Sequence, residues 1–458
     1  MISWENIKEK VPSIYSFITF RNESFGGLIF NPYLGIEVEL DPLEAYIVRS
    51  IDSNIPYTII EKEVHKKFNI SLNDCQKRIL KTVGKLLNMC AVFHDDNPRN
   101  QLLTSPEPIV IKENNSIPSF PTSVIWDVTY TCNLNCLHCL NNSGTPLKNE
   151  LDTEQAIFLI DELAKAKVFY LSISGGEPFL RPDIIALLEY LSTKKMRVDI
   201  ATNGIFIKDE LLDSLRDLPI FQIQVSIDGI GETHDQFRGK KGAFKKSLEN
   251  ICKLRKEEIA VSISTTVTQK NLKQLNEIIN LAYDLGCNGF KALSFLPAGR
   301  GQENFEQLKL DLEGHLLMSK ILSNSSQQFV GKMSIKTETT YAFLLDKHTT
   351  VSCNYGHMGC SAGYNTLNIG ADGSVYPCPF LHDFPIGNIL DHSLKNLWEE
   401  AAVIKTLRNL RKQDFHEPCR SCDYSPEFCR GGCRAAAYLE FGDFYSVDPT
   451  CFHSIIKK

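Results

Sequence analysis

Three cysteines, Cys132, Cys136 and Cys139, stand in the run YTCNLNCLHCLNN as Cys-x3-Cys-x2-Cys. That spacing wraps three thiolates around one short loop, directly after an apolar, strand-like segment. Three ligands are one short of a closed tetrahedral zinc site, whereas a 4Fe-4S cluster held by three cysteines keeps one iron open to an exogenous molecule. Taken alone, the run also fits a zinc loop or three unrelated thiols. Further along comes SGGEP, with Gly175, Gly176 and Glu177. Glycines at a strand end let a ligand approach the backbone, and Glu177 offers an acceptor for an ammonium group. ATNG contributes Asn203, and SIDG contributes Ser226 and Asp228. These are side chains of the kind a ribose or a carboxylate needs. Any one of them is explained by turn chemistry. Four successive strand ends carrying them below a three-cysteine loop are not.

A second cysteine group lies near the C-terminus. CSAGYNTLNIGADGSVYPC holds Cys360 and Cys378, CRSCDYSPEFCRGGC holds Cys419, Cys422, Cys429 and Cys433, and Cys451 closes the series. Eight of the fifteen cysteines fall from Cys353 onward. In a reducing compartment such clustering is the pattern of metal ligands rather than of a disulfide framework. Two zinc ribbons would use the same spacings. Cys75, Cys90, Cys252 and Cys287 sit in helical or strand-flanking text and read as packed core residues.

The elements that must position these residues follow a βα rhythm. Candidate strands are 123–130, 169–175, 197–203, 221–228, 260–268 and 289–296, with helical text such as TEQAIFLIDELAKAK and AFKKSLENICKLRK between them. Six strands with crossover helices imply a parallel sheet, either doubly wound or an incomplete (β/α) barrel, with chemistry at the C-terminal strand ends. Residues 1–96 read differently. Strand-like SFITF, GLIF and GIEVEL precede helices opened by Asp41 and Ser71, and AVFHDD closes the segment, which suggests a small winged-helix module. Residues 97–121 are rich in Pro, Asn and Ser and read as a linker. From about Val330 the βα rhythm stops and Cys, Gly and Pro rise, as in a loop-rich fold stapled by metal.

The whole chain has 458 residues, 43% hydrophobic and 23% charged, with a net charge of −6. Its length calls for more than one domain, and its balance is that of a soluble globular protein. No basic excess favours a nucleic-acid partner, and no run reaches the 18 or so apolar residues of a membrane span. The opening MISWENIKEKVPSIY has charges where a signal peptide needs an apolar run, so the reading is a cytoplasmic protein.

With these motifs together, the sequence resembles the radical S-adenosylmethionine enzymes over roughly Pro121 to Gly301. The resemblance implies an α/β fold with a partial (β/α)6 barrel of the TIM type at residues 122–329. It implies that Cys132, Cys136 and Cys139 bind a 4Fe-4S cluster whose open iron chelates S-adenosylmethionine, and that Gly175, Gly176 and Glu177 contact its amine. Asn203, Ser226 and Asp228 match positions near its ribose and carboxylate, and His138 lies where the backbone meets the adenine. Arg238 in HDQFRGKKGAF and Arg300 in LPAGRG are further candidates for carboxylates. Residues 330–458 resemble the SPASM extension, which carries auxiliary 4Fe-4S clusters. By that resemblance Cys360, Cys378 and Cys433, completed by Cys353, hold one cluster, and Cys419, Cys422, Cys429 and Cys451 hold another, making three in all. Six residues separate Cys422 from Cys429 where the usual pattern has five. Residues 1–96 are similar to the PqqD-like domain that captures the leader of a precursor peptide.

The implied activity is modification of a ribosomally made peptide. An electron donor such as flavodoxin or ferredoxin would reduce the barrel cluster, reductive cleavage would release a 5′-deoxyadenosyl radical, and hydrogen abstraction would lead to a thioether or carbon–carbon cross-link. Alternatives within the same chemistry are a formylglycine-type sulfatase maturase and a haem-pathway enzyme. An alternative of another class is a non-catalytic iron–sulfur carrier or peptide-binding scaffold. No acid or base residue stands out, and neither nucleic acid nor membrane is expected as a partner.

Overall fold

A computed structural model describes residues 2–51, 53, 55–94, 117–337, 360–422, 429 and 431–451. They form two compact units, which divide after Ser119.

In the first unit, strands β1 (Pro12–Ile14), β2 (Thr19–Glu23), β3 (Gly26–Asn31), β4 (Ile36–Leu40) and β5 (Val92–His94) flank three helices at Pro42–Ile51, Tyr57–Phe68 and Leu72–Asn88. β2, β3 and β4 make an antiparallel meander, while β1 pairs antiparallel with β5. Both expected N-caps are present. Asp41 accepts from the N–H groups of Leu43 (3.0 Å) and Glu44 (2.9 Å), and Ser71 accepts from that of Asp74 (3.1 Å). The third helix buries Ile79, Val83 and Leu86 completely, against Ile47, Val48 and Ile60 of its neighbours. Each such aliphatic side chain contributes about 1.5–3 kcal/mol relative to exposure.

In the second unit the six expected strands appear as β6 (Ser123–Asp127), β7 (Tyr170–Ser174), β8 (Arg197–Thr202), β9 (Ile220–Ser226), β10 (Val261–Val267) and β11 (Gly289–Ser294), parallel and in sequence order. This is the partial barrel. Its helices cover the sheet with apolar stripes. Thr153–Lys165, for example, opens on a capping box between Asp152 and Gln155 and buries Ala156, Leu159, Ile160 and Leu163.

The sheet also runs beyond the expected strands at both edges. β12 (Ser334–Thr337) pairs parallel with β11. β13 (Thr366–Ile369) pairs parallel with β6 and continues antiparallel into β14 (Ser374–Tyr376) and β15 (Gly387–Asn388). The loss of βα rhythm near Val330 is therefore not a loss of sheet. These strands are too short for their alternation to be legible, and their pairing depends on partners as far away as Ser123.

Helices at Asp209–Arg216, Glu232–Arg238 and Leu312–Gln328 also escaped the sequence reading. Cys75 and Cys287 are buried as expected, but Cys252 is exposed, because it falls on the outer face of the helix Ala243–Lys256. No helix among the described residues is long and apolar enough to cross a membrane.

Candidate functional site

A cavity of about 380 Å³ opens at the C-terminal strand ends. Its wall follows the two-residue period of the strands. Ile125 and Asp127 come from β6, Ser172 and Ser174 from β7, Gln224 and Ser226 from β9, Ser264 and Thr266 from β10, and Lys291 and Leu293 from β11. The rim is the cysteine loop, with Cys132, Cys136, His138 and Cys139 all facing the cavity.

The loop is held at several points. Cys132 N–H donates to the Gly144 carbonyl (3.1 Å), Leu137 N–H to that of Phe237 (3.0 Å) and Asn135 N–H to that of Arg238 (3.3 Å). Arg300, expected to meet a ligand carboxylate, lines the cavity and also clamps the loop, donating from Nε to the Cys136 carbonyl (3.1 Å) and from Nη1 to that of Ser143 (2.9 Å). Burial pushes the Cys132 thiol up to about 11. Two donors nevertheless face these sulfurs: Arg238 Nη1 lies 3.7 Å from Cys136 Sγ, and Ser143 N–H donates to Cys139 Sγ at 3.4 Å. Three soft sulfur ligands on one cavity wall, two of them facing N–H donors, fit an iron–sulfur cluster.

Gly175 and Gly176 both line the cavity. Their lack of a side chain serves the protein itself: a Cβ on Gly176 would overlap the Thr131 carbonyl oxygen, and one on Gly175, at φ +123°, that of Thr129. Gly176 N–H donates to Thr129 (2.7 Å) and Glu177 N–H to Thr131 (2.8 Å), so the end of β7 is locked to the segment entering the cysteine loop.

Glu177 departs from expectation. It is fully buried and not part of the cavity wall. Its carboxylate accepts from Thr202 Oγ1 (2.7 Å), Asn203 N–H (2.8 Å) and Phe179 N–H (3.2 Å), and burial pushes it up to about 7. Two of its three donors therefore come from the end of β8.

Asp228 is also fully buried and off the wall. It accepts from Thr266 N–H (2.8 Å) and is paired with Arg238 Nη2 at 2.5 Å. Burial alone would raise its carboxyl, but the Arg238 guanidinium overrides that and holds it below the usual range.

The other expected contacts do reach the cavity. Asn203 donates from Nδ2 to Asn133 Oδ1 (2.7 Å) within the cysteine loop, and Ser226 and Arg238 line the wall. His138 packs its ring 4.5 Å from that of Phe237, and burial drives it down to about 4, so it is neutral at pH 7.

Sequence reasoning missed Asp127 and Lys291, although their alternation with Ile125 and Leu293 was a usable signal. Asp127 accepts from Asn368 Nδ2 of β13 (3.1 Å) and from Asn141, and burial pushes it up to about 6.

The C-terminal thiols fall into two groups. Cys433 hydrogen-bonds Cys360 and holds that thiol low, while Cys378, with Cys360 as its charged neighbour, is pushed up to about 12 mainly by burial. Cys419 is raised to about 12 by burial, with Arg434 opposing and Cys451, Cys429 and Cys422 adding to the rise. Cys433 thus joins Cys360 and Cys378 rather than its sequence neighbour Cys429. Among the described residues no three His, Cys, Asp or Glu side chains converge on a single ion. Cys353 lies outside the described residues.

The radical SAM superfamily matches residues 126–282, and the SPASM iron–sulfur cluster-binding domain matches residues 360–423. An AdoMet-dependent heme synthase from Methanosarcina barkeri is 33% identical over 354 residues, covering 74% of this chain and 98% of the relative. The chain belongs to the radical SAM superfamily. It is accordingly an enzyme with sites for S-adenosylmethionine and iron–sulfur clusters. The mycofactocin maturase MftC of Mycobacterium tuberculosis is 32% identical over 354 residues, covering 76% of this chain and 87% of that protein. The crystal structure of Streptococcus suis SuiB bound to S-adenosylmethionine has the same fold. It superposes with a TM-score of 0.70 at 19% identity, over 96% of this chain and 99% of SuiB.

Proposed function

We propose that this radical SAM enzyme modifies a ribosomally made precursor peptide, forming a thioether or carbon–carbon cross-link. The observation that carries the reading is the first unit. A heme synthase matched over 98% of its own length leaves about a quarter of this chain without a counterpart, whereas the likeness to SuiB extends over 96% of the chain. SuiB has been crystallised with its precursor peptide SuiA, and an antiparallel meander with its own core is suited to take an added peptide strand. On this reading residues 1–96 are a PqqD-like leader reader, 122–329 the barrel and 330–458 the auxiliary-cluster domain.

In the barrel, Cys132, Cys136 and Cys139 would hold a 4Fe-4S cluster, and the cavity beside Gly175, Gly176, Asn203, Ser226, His138 and Arg238 would take S-adenosylmethionine. Together these groups supply one-electron hydrogen-abstraction chemistry when bound. The chain's own part is positional. Arg300 and Phe237 hold the loop, Glu177 ties the ends of β7 and β8 together, and Asp228 holds Arg238 against Cys136. Asp127 and Lys291 give the interior a carboxyl and an amino group that can orient a peptide group by hydrogen bonds. Cys360, Cys378 and Cys433, with Cys353, would hold one auxiliary cluster, and Cys419, Cys422, Cys429 and Cys451 a second, for three in all. A flavodoxin or ferredoxin would be the electron source.

The test is anaerobic reconstitution, with assay of 5′-deoxyadenosine and mass analysis of short peptides encoded beside the gene. A cross-linked peptide lighter by two hydrogens is the expected product. The 33% identity to a heme synthase favours a second reading, haem-precursor chemistry. Turnover of a porphyrin with no peptide product would replace the first reading by the second.

A further inference from the structure

The helix Glu232–Arg238 ends on the cysteine loop, and the next residues of the chain present a lysine-bearing surface with no role in the cavity. The carbonyls of Phe237 and Arg238 take the N–H groups of Leu137 and Asn135, and Gly239, at φ +69°, packs so closely that a Cβ would stand 2.6 Å from the Asn135 carbonyl oxygen. Between Cys132 and Cys139, Asn135 is the exposed residue of the cysteine loop. Immediately beyond lie Lys240, Lys241 and Lys245, all exposed, around a depression of about 670 Å³.

Among the described residues none of these three lysines has an ion-pair partner, whereas Lys246 has Glu249 at 3.6 Å. The acids of the same segment are already engaged: Asp235 accepts from the N–H groups of Gly242 (2.5 Å) and Phe244 (2.8 Å), and Glu232 accepts from Gln236 Nε2 (3.0 Å). Three unpaired cations thus sit beside the cysteine loop of a chain whose net charge is −6.

We propose that this face, built from Lys240, Lys241 and Lys245 over Asn135 and Gly239, docks an acidic one-electron carrier protein. The proposal rests on the reading that Cys132, Cys136 and Cys139 hold a cluster which must be reduced from outside. One electron passes from the reduced carrier, which is thereby oxidised, to that cluster, and no bond or proton moves. A carrier rich in Asp and Glu around its redox group would be steered to the lysines and stopped by the depression, with its redox group close to the loop. A solvated lysine face with no partner would not need to lie against the cysteine loop, nor have Glu232 and Asp235, which share the lining of the depression, engaged by their own segment rather than by the lysines.

The experiment compares the full, cluster-loaded enzyme with its Lys240→Glu/Lys241→Glu/Lys245→Glu variant, using an acidic flavodoxin. Calorimetric titration with oxidised flavodoxin measures binding without any turnover, and stopped-flow absorbance measures cluster reduction by the reduced form. At low ionic strength the variant should lose about tenfold or more in both affinity and reduction rate, and added salt should erase most of the difference. Reduction by dithionite, and the S-adenosylmethionine cleavage it drives, should be unchanged. If the triple variant fails to hold iron, the Lys→Gln set is measured in its place, with a loss of the same sign. Equal flavodoxin affinity and rate in wild type and variant would overturn the proposal. So would a variant that binds precursor peptide more weakly while flavodoxin reduces it normally, since the face would then belong to the peptide. Failure of dithionite to drive cleavage in wild type would instead count against the enzymatic reading, and the calorimetric arm would still decide the docking.

Discussion

Replacing Arg238 by Met removes the counter-charge of a carboxylate that has no access to solvent. Asp228 is 0% exposed and, among the described residues, keeps only the Thr266 N–H at 2.8 Å, because His138, 3.7 Å away, and His234 are both neutral at pH 7. Breaking a buried pair from one side costs about 3–5 kcal/mol, most of it the desolvation of the charge left behind. The methionine fills much of the volume of the arginine stem, so little of the loss is cavity formation. Arg238→Met should therefore destabilise the cluster-loaded enzyme by about 3–5 kcal/mol, and Arg238→Met/Asp228→Asn should recover a large part of that. The assay is urea unfolding followed by far-UV circular dichroism and by the fluorescence of Trp126 and Trp398, both buried in the second unit. The double-mutant cycle isolates the pair from effects on Cys136, whose sulfur loses the same guanidinium in both arginine variants. A single-variant cost below about 1 kcal/mol, or a double variant as unstable as the sum of the singles, would refute the argument.

Three further outcomes are expected. Cys132→Ala, Cys136→Ala or Cys139→Ala should abolish S-adenosylmethionine cleavage while the iron of the C-terminal cysteines remains. Iron counting and a 5′-deoxyadenosine assay check this, and full cleavage in any of the three would remove that residue from the ligand set. Deleting residues 1–96 should spare uncoupled cleavage and lower processing of a full-length precursor by about a hundredfold or more, as when a binding energy of roughly 3 kcal/mol is lost. Equal processing by the shortened chain, measured by mass spectrometry, would leave the first unit without a substrate role. Asp127, raised to about 6 by burial, has its folded value above its unfolded one, so wild type is favoured at low pH and loses stability as pH climbs from about 4 through 6. Asp127→Asn lacks this loss, so its stability relative to wild type should rise by about 2 kcal/mol between pH 4.5 and 7.5 in urea unfolding of the metal-free chain. A pH-independent difference would mean that Asp127 titrates normally.

Much of this enzyme was written in local pattern. The six barrel strands, the N-caps at Asp41 and Ser71, and the cysteine loop at the first strand end all follow from periodicity and capping chemistry, which act over a few residues. So does the presence of small polar groups at successive strand ends, because a parallel sheet presents those ends together whatever lies further off.

Which way each polar group turns was decided only by tertiary structure. Glu177 and Asp228 occupy motif positions, yet both are buried off the cavity wall, where the N–H groups of Asn203 and Thr266 and the guanidinium of Arg238 engage their carboxylates. Arg300 does line the cavity, but two of its donors are engaged by carbonyls 164 and 157 residues away in sequence. Asp127 lines the cavity by the alternation of β6, but the partner of its carboxyl, Asn368, is 241 residues distant, on a strand too short to be seen by its own alternation. Residue spacing determines which groups reach the site, and competition among buried donors and charges, each too costly to leave unpaired, determines which of them face the cavity.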